Sequence, residues 1–205
     1  MTVHGRNGEI AAITKGSFLS LSDQQSSDRV EVTITYLEQT ERPVLTTPPR
    51  PGRKVAILRA EAPPAHFYRY LYRLVGSNYN WVTRTRLNDA DLERIIHDPS
   101  VYIYVLYVDG VPAGFAEVDE RVSPIHEIKF FGFTPEFLGA GLGRYFLTNI
   151  IDLAWARSPG KLRLETCSAD HPAALPLYQQ LGFQVFDRRQ GVIDLLGGSE
   201  NPSAK

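Results

Sequence analysis

Arg29 to Leu37 (RVEVTITYL) alternates polar and apolar positions and is rich in β-branched residues, which predicts a strand with one buried face. Six of the fourteen prolines then fall between Pro43 and Pro64, so this stretch reads as an extended connector interrupted by a short strand at Lys54–Arg59. From Ala65 to Val75, Phe67, Leu71, Leu74 and Val75 recur at helical spacing, with Gly76 placed to end the helix. Asn88 or Asp89 can cap a second helix that runs to His97 and stops before Pro99. Val101–Val108 and Val111–Val118, joined by Asp109-Gly110, form a hairpin, and His126–Phe133 follows as another strand. Gly139–Trp155 carries Leu142, Phe146, Ile150 and Leu153 on one helical face. A strand at Lys161–Thr166, a helix at Pro172–Leu181 ended by Gly182, and a strand at Phe183–Asp187 complete the pattern.

Helices interspersed with mostly antiparallel strands predict an α/β (α+β) fold. With 205 residues, one domain over 30–190 is expected. A loosely ordered extension at 1–29, the proline-rich connector at 43–64 and a polar tail at 191–205 accompany it. As an edge strand, Arg29–Leu37 could pair with a second subunit, which would make a homodimer. Lys plus Arg is 22 and Asp plus Glu is 23, a net charge of −1, so the basic excess typical of nucleic-acid or anionic-membrane partners is missing. A single cysteine, Cys167, excludes an intrachain disulfide and any zinc site built from several thiolates, and it suits a cytoplasmic setting. The longest apolar run, Val101–Val108, is too short to span a bilayer, so no membrane is expected as a partner.

Candidate chemistry concentrates in Phe131-Gly-Phe-Thr-Pro-Glu-Phe-Leu-Gly-Ala-Gly-Leu-Gly-Arg144. A strand ends near Phe133 and Gly139, Gly141 and Gly143 lead into a helix, an arrangement that lets backbone amides approach a pyrophosphate or simply makes a tight turn. Neither the dinucleotide fingerprint nor a Walker A loop fits, because Arg144 occupies the place where each needs a glycine. Gly132, inside a strand, marks either a bulge that exposes the backbone of Phe131 and Phe133 or plain packing beneath the aromatics. Seven of the ten tyrosines lie between Tyr68 and Tyr107; Tyr102 and Tyr104 read as strand packing.

Together with Leu177-Tyr178-Gln-Gln-Leu-Gly-Phe183, the glycine turn resembles the GNAT superfamily of acyl-CoA-dependent N-acetyltransferases. The turn is similar to the family's [QR]-x-x-G-x-[GA] and the second stretch to its L-Y-x-x-x-G-F, with one helix and one strand between them. The resemblance implies a mixed, mostly antiparallel central sheet, flanked by helices on both faces and splayed where the cofactor lies. It implies acetyl-CoA as co-substrate, an amine-bearing acceptor and no metal. The backbone around Phe131, Gly132 and Phe133 would hold the acetyl and pantetheine portion. The turn from Leu138 through Gly139, Ala140, Gly141 and Gly143 to Arg144 would bind the pyrophosphate, with His171 at a helix start near the phosphates. Tyr178 would protonate the leaving thiolate, and Glu127 matches a position where some members carry the general base. Tyr68, Tyr72, Tyr79 and Trp81 fall in the region that covers the acceptor in resembling proteins, where core packing explains them equally well. Leu138 replaces the usual Arg or Gln, and His171 stands where many members have Asn.

An amine such as lysine, with a pKa of about 10.4, must lose a proton before it attacks, so a base is needed. Glu127 is one candidate, or a solvated strand residue; Glu117 on the neighbouring strand is the competitor, since burial beside a cleft would raise its pKa. His126 alternates to the opposite face from Glu127. Two further readings stay open, a catalytically silent acyl-CoA-binding module and a nucleotide-binding protein of another fold.

Overall fold

The computed structural model describes residues 29–46 and 48–194; of the extension expected at 1–29 and the tail expected at 191–205, residues 1–28 and 195–205 lie outside them. The elements run β1 (Arg29–Gln39), β2 (Val55–Arg59), α1 (Ala65–Gly76), α2 (Asp89–Ile96), β3 (Val101–Val108), β4 (Val111–Asp119), β5 (Ile125–Phe133), α3 (Leu142–Trp155), β6 (Lys161–Cys167), α4 (Ala174–Gln180) and β7 (Gln184–Asp194). Short 3-10 turns follow α1 at Ser77–Tyr79 and β5 at Pro135–Phe137. The Asn88 side chain caps α2 by accepting from the Asp91 amide at 2.9 Å. Among the described residues no helix is long and apolar enough to cross a membrane.

Seven strands form one sheet in the order β2-β3-β4-β5-β6-β1-β7. Every neighbouring pair is antiparallel except β5 and β6. Side-chain alternation along β3 feeds two cores. Ile103 and Val105 pack with α1 and α2 on one face, and Tyr104 and Leu106 join Phe146, Leu147, Ile150 and Ile151 of α3 on the other. A strand covered on both faces explains the unbroken apolar run that the sequence shows there.

Two boundaries and one sheet position that bear on the site differ from the sequence pattern. The helix expected from Gly139 begins at Leu142, because Gly139 and Gly141 adopt φ of +72° and +74°, outside the helical region. The last strand continues past Asp187 to Asp194, pairing with β1 as far as Arg29 and entering the stretch expected as a tail. Most consequentially, β1 is not an edge strand: it lies between β6 and β7, so the edges are β2 and β7 and the pairing argument for a homodimer is gone.

β1 is tied into this interior position by polar as well as apolar contacts. Leu37 is fully buried; Gln39 donates to the Leu181 carbonyl at 2.8 Å and accepts from the Trp155 indole at 2.8 Å. Glu38 accepts from Lys161 and Arg163 of β6, each at 2.8 Å. The Lys161 hydrogen bond, reinforced by Arg163, holds its carboxyl below the usual carboxylate range. A carboxyl with a lowered folded pKa adds stability above its unfolded pKa of about 4.3 and loses that contribution as pH falls through the folded value. Glu38→Gln should therefore lower stability by up to about 1 kcal/mol at pH 7, with the gap closing as the pH drops below 4. Denaturant titrations at pH 7 and pH 3 check this; an equal loss at both would assign the effect to packing.

Candidate active site

The site begins where two strands part. β5 and β6 are registered only from Ile125↔Lys161 to Ile128↔Leu164. Beyond that point β5 stays with β4 up to Phe133↔Gly114, while β6 stays with β1 up to Cys167↔Ile34. A bulge marks the parting: Val118 faces Ile128 and Glu117 faces Phe130, leaving Lys129 as the extra residue. Bulges increase local twist, which suits a strand turning away from its neighbour. Of the two readings open for Gly132, a bulge or packing, the structure supports packing. A Cβ on it would stand 2.5 Å from Val75 of α1.

Backbone direction follows from one bond. The Thr134 amide donates to Ala113 at 2.9 Å, so Thr134–Ala113 and, two residues on, Gly132–Phe115 are the hydrogen-bonding pairs of this ladder. The amides and carbonyls of Phe131 and Phe133 therefore point away from β4, into the gap left by β6. Their rings turn onto α3, with centroids 5.3 and 5.9 Å from that of Phe146.

A cavity of about 970 Å³ fills the gap. One wall is Lys129–Phe133 and the other Leu164–Cys167; its floor is the glycine turn and α4, and the loop after α1 closes the far side. The turn spends the amides of Phe137, Leu138 and Ala140 on Thr134, Pro135 and Phe137 carbonyls. Those of Gly139, Gly141, Leu142, Gly143 and Arg144 have no acceptor among the described residues, and α3 starts with neither a side-chain cap nor an acidic residue. Unsatisfied amides at the positive end of a fourteen-residue helix are electrostatically suited to an anion. Gly143 also lets α4 approach, since a Cβ there would sit 3.3 Å from Leu177.

Tyr178 reaches the same cavity from α4, and its hydroxyl has no hydrogen-bond partner among the described residues. Burial, with a smaller contribution from the Asp170 charge, pushes its pKa well above the ordinary tyrosine value, so it stays protonated. Asp170 itself is committed, accepting from the Thr166 hydroxyl at 2.7 Å and the Cys167 amide at 2.8 Å. His171 lines the cavity, its Nδ1 accepting from the Ala173 amide at 3.2 Å.

Of the residues proposed from sequence, Phe131, Gly132, Phe133, Leu138, Gly139, Ala140, Gly141, Gly143, Arg144, His171, Tyr178, Tyr72, Tyr79 and Trp81 share this cavity. Glu127 does not line it: its carboxylate is held by Lys129 at 2.8 Å. Glu117 and Tyr68 do not line it either. Glu117 is fully buried, paired with the Arg84 guanidinium at 2.5 Å and bonded to the Tyr68 hydroxyl. Burial and the Glu117 charge keep that hydroxyl protonated by raising its pKa. The pair is thus a clamp: Arg84 belongs to the loop that carries Tyr79, Trp81 and Thr83 to the cavity, and Tyr72 adds a 3.0 Å bond to Thr83. Trp81 is fixed against Phe130 and Tyr72, 5.1 and 5.5 Å away between centroids.

Sequence reasoning missed Ile34, Lys129, Glu165, Val192 and Ile193 of the wall. Glu165 sits at an outward position of β6 and reads as solvated; only the departure of β5 turns it into a cavity residue.

The family model described as "Acetyltransferase (GNAT) family" matches residues 67–183, more than half of the chain. The chain belongs to that family. No curated protein sequence matches it. Among solved structures it is similar to a GCN5-related N-acetyltransferase from Kribbella flavida, at 18% identity and a TM-score of 0.54 over 83% of this chain and 61% of that one. An IAA acetyltransferase from Bacillus cereus gives 20% identity and 0.51, over 65% and 79%. The aminoglycoside enzyme AAC(6')-Iy, solved with a CoA bisubstrate analog, gives 19% and 0.50, over 64% and 91%. These likenesses establish the fold. The chain spans 64% of a Staphylococcus epidermidis protein of unknown function that it also matches.

Removing Glu117 leaves the largely buried Arg84 without its carboxylate partner. Glu117→Ala should cost about 3–5 kcal/mol in denaturant unfolding. A loss below about 1 kcal/mol would show that the pair is not desolvated as described.

Proposed function

We propose that the protein is an acetyl-CoA-dependent N-acetyltransferase that moves the acetyl group directly to a primary amine through a tetrahedral intermediate. The observation carrying this reading is that five unspent amides at the start of α3, the open edge of β5 and the Tyr178 hydroxyl all meet in one cavity. The amides suit the pyrophosphate of CoA, and the outward-facing groups of Phe131 and Phe133 suit an extended pantetheine arm lying along the strand. An amide on that edge can also receive the oxyanion as the amine attacks.

Tyr178 then protonates sulfur. Its raised pKa keeps the proton in place until a thiolate is forming, and a hydroxyl without another partner is free to deliver it. Leu138 contributes no polar side chain to the turn, which is the feature favouring a binding module without turnover.

Acetyl-CoA and CoA, but not NAD or ATP, should raise the melting temperature. Saturation at a hundred times Kd adds about 2.7 kcal/mol. Tyr178→Phe should keep that shift and lower kcat at least about 100-fold. Stabilisation without CoA release from any amine would identify the binding module, and no stabilisation by either CoA species would end the acyl-CoA reading.

A further inference from the structure

The transferase reading leaves the proton on the acceptor amine without a recipient, because Glu127 and Glu117 are both engaged elsewhere. We infer that Glu165 is the residue that takes that proton, a deepening of the proposed function that rests on it. Glu165 is the first residue of β6 beyond its register with β5, so the space that a β5 neighbour would fill is the cavity. It is exposed to that space, and its carboxylate takes no hydrogen bond or ion pair from any described residue. The carboxylates around it are committed: Asp170 to Thr166 and Cys167, Glu127 to Lys129.

The charged and titratable groups around Glu165 come from several elements. Lys129 and Glu127 stand on β5, Asp170 and Tyr79 on the adjoining loops, Tyr36 opposite it on β1 with Arg189 over its ring, and Arg163 and Cys167 on β6 itself. Burial raises the Glu165 pKa; Lys129 opposes this, and the charges of Glu127 and Asp170 add to it. A carboxylate whose pKa is raised is a stronger base than an ordinary one.

The step balances within the chain and its two substrates. The ammonium first gives one proton to water, and the N–H proton of the neutral amine then passes to the Glu165 carboxylate while nitrogen bonds to the acetyl carbon. The C–S bond then breaks, and sulfur takes the Tyr178 proton. Water collects the proton from Glu165 and restores that of Tyr178, leaving an amide and free CoA.

The full-length protein, Glu165→Gln and Glu165→Asp would be assayed for CoA release from acetyl-CoA with spermidine, tryptamine and kanamycin, from pH 5.5 to 9. Glu165→Gln should retain stabilisation by CoA and lose about 100-fold or more in kcat/KM at neutral pH. It should also lose the acid limb of the profile, which Glu165→Asp should keep at lower rate. Turnover by Glu165→Gln within threefold of the parent, with the acid limb intact, would overturn the assignment alone. Absence of CoA release by the folded parent protein with all three amines would overturn the transferase reading and this inference with it.

Discussion

The parting of β5 from β6 is the constraint on which the rest depends. Four registered pairs join the only parallel neighbours of the sheet, and each strand then follows a different partner, β4 on one side and β1 on the other. Buried main-chain groups rarely go unpaired, so a strand edge that a fold opens in its own interior invites a ligand to complete it. Here the edge faces a helix start whose amides are likewise unspent. A single topological choice thus creates an open strand edge with a cluster of unspent amides at one end of it.

Placement of β1 makes the parting sustainable. β6 would be the edge of a short sheet fragment without a strand beside it. β1 fills that place, anchored by Leu37, by Gln39 to Trp155 and Leu181, and by Glu38 to two cations of β6. On the other side of the gap the Arg84–Glu117 pair and the Trp81–Phe130–Tyr72 cluster fix the loop that closes the cavity. One buried carboxylate and one cavity carboxylate therefore divide two tasks, Glu117 holding structure and Glu165 left open to chemistry.

What the sequence made legible was local. Helix caps at Asn88, the Asp109-Gly110 turn, the glycines entering α3 and the Tyr178 stretch each depend on residues within a few positions of one another. What stayed hidden depends on partners far apart in the chain. Glu38 meets residues more than a hundred positions away, so no pattern within Arg29–Leu37 could reveal an interior strand. The same holds for Glu165, whose exposure depends on where β5 turns; Glu127 differs, since Lys129, which holds it, is only two positions along the same strand. Gly132 illustrates the remaining ambiguity: a strand glycine reports close approach, but not whether a ligand or Val75 does the approaching.

The most direct measurement is an amide-resolved NMR titration of the protein with CoA. The largest shifts should fall on the amides of Gly139, Gly141, Gly143 and Arg144 and on those of Phe131 and Phe133, with the ladder amide of Gly132 moving less. Saturating CoA that leaves the start of α3 and the open edge of β5 unmoved would contradict the acyl-CoA reading.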